Sequence, residues 1–208
     1  MDQIPDSSNK TIGEANFPRP LETAKLSAYG LSILVVGVLL LLPLVNLLHP
    51  SPWQRSLGFV HGIVSMLAVM LISYVGHLAF PLLRGVQTIL HKAQELVLAA
   101  SVFAFIAVMT GNAAYARYRD PINGARAFFK ENSPLVHWVY AESHEFMVLF
   151  TVPLGVAVSW ILWRYEHGIF TSENRPVLAA TSIALMAMML YGIVGLVTGI
   201  SMAKIHAL

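Results

Sequence analysis

Residues 56–83 read SLGFVHGIVSMLAVMLISYVGHLAFPLL, 28 consecutive positions without Asp, Glu, Lys or Arg. A helix rises about 1.5 Å per residue, so about 20 apolar residues cross about 30 Å of hydrocarbon. The stretch is therefore long enough to span a bilayer, with Arg55 and Arg84 marking its two ends. Four further uncharged stretches, 26–54, 96–116, 146–163 and 176–203, bring the total to 124 of 208 positions. Charged residues make up 12% of the chain, against roughly 25% in an ordinary soluble domain, which excludes a soluble globular fold. The expected fold class is all-α, an integral membrane bundle of five transmembrane helices.

Working outward, residues 1–24 combine Pro5, Pro18, Pro20 and Gly13 with four acidic residues and no apolar periodicity, the pattern of a polar tail. Residues 25–208 read as a single transmembrane helical domain, with spans at about 26–48, 56–80, 87–117, 134–164 and 176–203. The first run follows a mixed-charge tail and lacks a small-residue cleavage site, so it is expected to remain as a span. His49-Pro50-Ser51-Pro52 stops that span, and Pro81 is expected to stop the second. Asp120-Pro121 reads as an N-cap and first-turn proline opening a short interfacial helix to Glu131, with Ile122, Ala125, Phe128 and Phe129 on one face. Gly195, Gly199 and Ala203 recur every four residues, a smooth strip for close helix approach that by itself carries no chemistry. No internal repeat is apparent. Lys and Arg divide seven against six between the two membrane sides, which sets no orientation.

A net charge of +2 without a basic patch excludes nucleic acid as a partner. The absence of cysteine excludes disulfides, thiolate metal sites and covalent haem attachment. Any cofactor must then be held by His, carboxylate, Met or Tyr.

Eight histidines in so apolar a chain demand partners, because an ionisable residue at membrane depth is costly. His49, His167 and His206 lie at span ends, where interfacial solvation accounts for them. Antiparallel folding sorts the other five into two layers. His61, His137 and His144 lie at similar depth near one side of the membrane. His77 and His91 stand seven residues before and after Arg84 and so share a height near the other side. Two layers of imidazoles, with Gly62 beside His61 and Gly76 beside His77 leaving room for a flat macrocycle, are the layout of a b-type cytochrome. The expectation is one or two b-type haems, the iron held by His61 with His144 and by His77 with His91. His137 is an alternative in the first layer, because it stands seven residues from His144 and shares its face. Arg55, Arg117, Arg119 and Arg84 lie at span ends where propionates would emerge.

Helical rotation sets a condition on this reading. Sixteen residues at about 100° each turn His77 about 160° away from His61, so two haems cannot both sit on one face of that helix. Carboxylates offer a rival. Glu142 and Glu145 beside His144, and Glu95 four residues after His91, could build a carboxylate-bridged metal site, although the Glu-x-x-His pair of a di-iron bundle is absent. Glu142 or Glu145 could instead exchange protons with a quinone.

With five spans, about 200 residues, no cysteine and histidines in two layers, the chain resembles the small polytopic b-type cytochrome subunits of bacterial respiratory complexes. The quinone-linked subunits of formate dehydrogenases, hydrogenases and succinate dehydrogenases are examples. It lacks the 13-residue spacing between paired ligands seen in the cytochrome b of quinol–cytochrome c reductase. The resemblance implies an electron-transfer subunit rather than a stand-alone enzyme, working between a membrane quinone and a partner redox protein or other subunits, in a bacterial inner membrane. A second resemblance, in size and topology, is to the five-helix third subunit of quinol-oxidising haem–copper oxidases. It implies a non-redox accessory or assembly subunit of a respiratory or photosynthetic complex.

Overall fold

A computed structural model describes residues 51–122 and 124–205, together with positions 29, 30, 33, 36, 37 and 40. Those six early positions are helical; the rest of the expected span 26–48, and the tail 1–24, lie outside the described residues. Every regular element among the described residues is helical. In chain order they are α1 (Trp53–Leu83), α2 (Leu90–Tyr118), α3 (Ala125–Asn132), α4 (Glu142–Tyr165) and α5 (Arg175–Ile205). Four stretches, Ser56–Leu83, Gln87–Tyr118, Val136–Phe170 and Arg175–Ile205, are long and apolar enough to cross a membrane. The chain has the build of a multi-pass integral membrane protein.

The long helices form a ring in which α1 packs on α2 and α5, and α4 packs on the same two neighbours. Thus α1 and α4 stand diagonally opposite each other, as do α2 and α5. The shared core contains Val75, Leu82, Leu90, Val97, Val158, Leu162, Leu185 and Met188, while Phe59, Met70, Phe80 and Ile183 face outward. Apolar side chains on both faces are what a bundle in lipid requires.

Three boundaries differ from expectation for local reasons. α1 runs through Pro81 to Leu83; a proline in the final turn removes only the hydrogen bond to the His77 carbonyl. The chain then reverses at Gly85, whose φ of +79° suits a residue without Cβ. Asp120 does not cap the interfacial helix. Its Oδ1 instead accepts from the Ile122 N–H at 2.9 Å and its carbonyl accepts from the Gly124 N–H at 2.9 Å. This side-chain turn delays α3 to Ala125 and leaves Ile122 exposed, so the buried face rests on Ala125 and Phe129. Finally, a π-helical turn, Val136–Ala141, precedes α4. It changes the angular phase between His137 and His144, so the shared face expected from a spacing of seven does not follow.

Candidate functional site

His61 comes from α1 and His144 from α4, the diagonal pair, yet their ring centroids approach to 6.4 Å with planes crossing at 87°. Both rings are half-buried. His61 Nδ1 lies 2.9 Å from the Ala107 carbonyl on α2, and His144 Nδ1 lies 2.7 Å from the Gly195 carbonyl on α5. A carbonyl only accepts, so each Nδ1 carries the proton and donates it. Each Nε2 is left with a free lone pair.

The two hairpins build this feature in the same way. Four residues past each accepting carbonyl stands a glycine, and its missing side chain makes room for the ring. A Cβ at Gly111 would lie 2.8 Å from His61 Cε1, and one at Gly199 would lie 2.9 Å from His144 Cε1. Between carbonyl and glycine, Thr110 and Thr198 donate back into their own helices. Thr110 Oγ1 reaches the carbonyls of Ile106 and Ala107 at 2.9 and 3.1 Å, and Thr198 Oγ1 reaches those of Val194 and Gly195 at 2.8 and 3.1 Å. The sequences behind this are AVMTG at 107–111 and GLVTG at 195–199. This short repeated signal, a small residue, two apolar residues, then Thr-Gly, was there to be found in a chain read as having no internal repeat. It also gives Gly199, expected only as packing surface, a direct contact with an imidazole.

The ring separation is a quantitative test of what the pair can hold. A metal–imidazole bond of about 2.0 Å plus about 1.2 Å from nitrogen to ring centre sets two trans imidazoles about 6.4 Å apart. The observed 6.4 Å equals that spacing, and it also lies within the range of about 4.5–7 Å over which two rings make an ordinary edge contact. Hydrogen bonds from the distal ring nitrogens to backbone carbonyls fix tautomer and orientation, as metal-binding imidazoles require.

Around this pair lies a polar and aromatic cap. Tyr115, one turn past Gly111, shares a hydrogen bond with Glu145, the residue after His144. Tyr115 and Tyr118 stack at 5.3 Å, the Arg119 guanidinium lies 5.3 Å from the Tyr115 ring centre, and α3 seals the layer with fully buried Phe129. The buried Nε of Arg126 has no hydrogen-bond partner among the described residues.

The remaining candidates are placed elsewhere. His137 is 1% exposed and its Nδ1 shares a hydrogen bond of 3.1 Å with the Tyr118 hydroxyl, while its Nε2 lies 4.0 Å from Glu142. It is a structural partner of Tyr118 beside the site. Gly62, expected beside His61, is exposed with open space around it, whereas the space beside Gly76, expected next to His77, is taken by Met189 of α5. His77 is exposed. The His91 ring lies 5.7 Å from that of His167, a residue whose span-end position alone predicts only interfacial solvation. Of the arginines expected near propionates, Arg84 lies over Phe80 at the opposite end of α1, and the Arg55 side chain is outside the described residues. His49 and His206 are also outside them. No three His, Asp or Glu side chains gather as a metal cluster among the described residues, so the carboxylate-bridged alternative finds no group there. Comparisons with protein-family models, with curated proteins and with solved structures find nothing that matches this chain.

Proposed function

We propose that this chain is a b-type cytochrome subunit of a membrane redox complex, carrying electrons between a membrane quinone and a partner redox protein. The observation that carries the reading is the 6.4 Å separation of the His61 and His144 rings on diagonal helices, each with its Nδ1 committed to a backbone carbonyl. Haem b, when bound, supplies a one-electron carrier. The chain's own residues do the rest. His61 and His144 would hold the haem iron through their Nε2 atoms, and the Ala107 and Gly195 carbonyls orient the rings and raise their basicity. Gly111 and Gly199 keep the space beside the rings free of side chains. Arg126, with a buried guanidinium nitrogen still unpaired, suits an anionic group such as a propionate. The Tyr115–Glu145 pair next to His144 can take or release a proton when a quinol is oxidised nearby.

In the full proposal, residues 26–48 supply a fifth span, the bundle lies in a bacterial inner membrane, and the partner is another subunit. The test is the absorption spectrum of the purified chain, with haem quantified by its pyridine complex. One low-spin haem per chain, reducible by a quinol, is expected. Protein that takes up no haem in a haem-replete host would overturn the reading and leave the accessory-subunit alternative in its place.

A further inference from the structure

At the opposite end of the bundle a second pair of imidazoles is organised differently. His91 opens α2, and His167 lies in the single-turn segment Glu166–Phe170 that follows α4. α4 ends because Glu166 takes a φ of +46°, which redirects the chain and brings His167 beside α2. The rings stand 5.7 Å apart with planes at 71°, and both residues are exposed.

His91 is oriented by a buried relay. Its Nδ1 lies 3.1 Å from Gln94 Oε1, and Gln94, 2% exposed, donates its Nε2 hydrogen to the Leu162 carbonyl at 3.0 Å. That second bond fixes the amide so that oxygen faces His91. An amide oxygen accepts, hence His91 Nδ1 donates and its Nε2 keeps a free lone pair.

The distance separates this pair from a haem site. Were both Nε2 atoms to meet one ion with the same bond lengths, rings 5.7 Å apart would subtend about 125° there, whereas trans ligands need about 180°. An angle of about 125° lies nearest the tetrahedral geometry of a four-coordinate zinc-type ion with water in its remaining positions. His91 is also 20 residues from Gly111 along α2, about 30 Å, a gap too wide for an electron to cross from the central pair in one step.

We propose that His91 and His167 form a two-imidazole site for a divalent transition-metal cation, tying the start of α2 to the α4–α5 connection at the membrane face opposite the central pair. The site is open, accessible and not redox-coupled to the haem, so its effect is to stabilise that end of the bundle.

The experiment is a Cu²⁺ titration of the tag-free full chain in detergent, read by electron paramagnetic resonance, followed by thermal unfolding with and without Zn²⁺. The wild-type chain should bind one Cu²⁺ with hyperfine coupling to two nitrogens, and Zn²⁺ should raise its unfolding temperature. His91→Gln and His167→Gln, both at exposed positions, should each lose the two-nitrogen signal, weaken binding by about tenfold or more, and abolish the Zn²⁺ effect, with unfolding in chelator unchanged. Gln94→Leu should weaken binding less, because the ligand remains but is no longer oriented. His77→Ala should bind as wild type. Absence of a 1:1 complex, or two-nitrogen coupling that survives in His167→Gln, would overturn the proposal. So would loss of the haem band in His167→Gln, because that would make the pair a haem ligand.

Discussion

The two ends of the bundle use the same side chain for different geometries. At one end His61 and His144 reach inward from diagonal helices, rest on glycines and stand 6.4 Å apart. At the other, His91 and His167 sit exposed on neighbouring elements at 5.7 Å. The anchors differ in kind as well: backbone carbonyls of the adjoining helix hold the central rings, and a side-chain amide holds His91. A carbonyl within a helix cannot rotate, so the central pair is the more rigid. Under the proposed function that rigidity would suit an electron carrier, whose ligands should move little between oxidation states, whereas an open cation site would tolerate exchange.

The largest expected difference between the ends comes from deleting a ligand. His61→Ala or His144→Ala should remove most of the haem or leave it high-spin, while His91→Gln and His167→Gln keep a wild-type visible spectrum. Haem per chain measured across these variants would break the comparison if both ends lost haem alike.

Next in size are the glycines. Gly111→Leu and Gly199→Leu place side-chain atoms where the imidazoles lie and should reduce haem occupancy nearly as much as losing a ligand. Gly76→Ala crowds Met189 instead. It should cost about 1–3 kcal/mol of stability through overpacking without touching the spectrum, and thermal unfolding beside haem content distinguishes the two effects. A smaller change is expected from Tyr118→Phe, which strands a buried nitrogen of His137 at a cost of about 1–3 kcal/mol while leaving the haem low-spin. Smallest is Arg126→Gln. Where Arg126 pairs with a propionate as proposed, removing its charge favours the more positive oxidised state, so the midpoint potential should fall, by an amount on the order of tens of millivolts. Redox titration reads it directly, and an unchanged or raised potential would place Arg126 away from the cofactor.

Much of this architecture could be read from the residues, and the limits have physical causes. Uncharged runs locate helices because lipid forbids unsatisfied backbone, and depth counted along antiparallel helices correctly sets His61 level with His144. Depth does not report azimuth. His77 and His91 are equally spaced about Arg84 in sequence, but the rotation of α1 that turns His61 inward leaves His77 exposed. The partner His91 does meet arrives by a backbone turn at Glu166, a non-glycine with positive φ that no local pattern announces. The π-turn before α4 is equally silent, and it breaks the seven-residue arithmetic linking His137 to His144. Asp120-Pro121 misleads for another reason: an aspartate side chain that can cap a helix can also close its own turn, and here it does. The Thr-Gly pairs at 110–111 and 198–199 were legible, and matching them would have shown both hairpins making the same bed for an imidazole.

The most direct test of the central claim is low-temperature electron paramagnetic resonance of the oxidised wild-type chain. Were His61 and His144 to hold a haem iron with their planes crossed at 87°, its two π-type d orbitals would stay nearly degenerate, giving a strongly anisotropic low-spin signal of the large-gmax type. One such signal per chain, lost in both His61→Ala and His144→Ala, is the predicted result. A wild-type chain without low-spin haem, or a signal unchanged in both variants, would contradict the assignment of His61 and His144 as the axial pair.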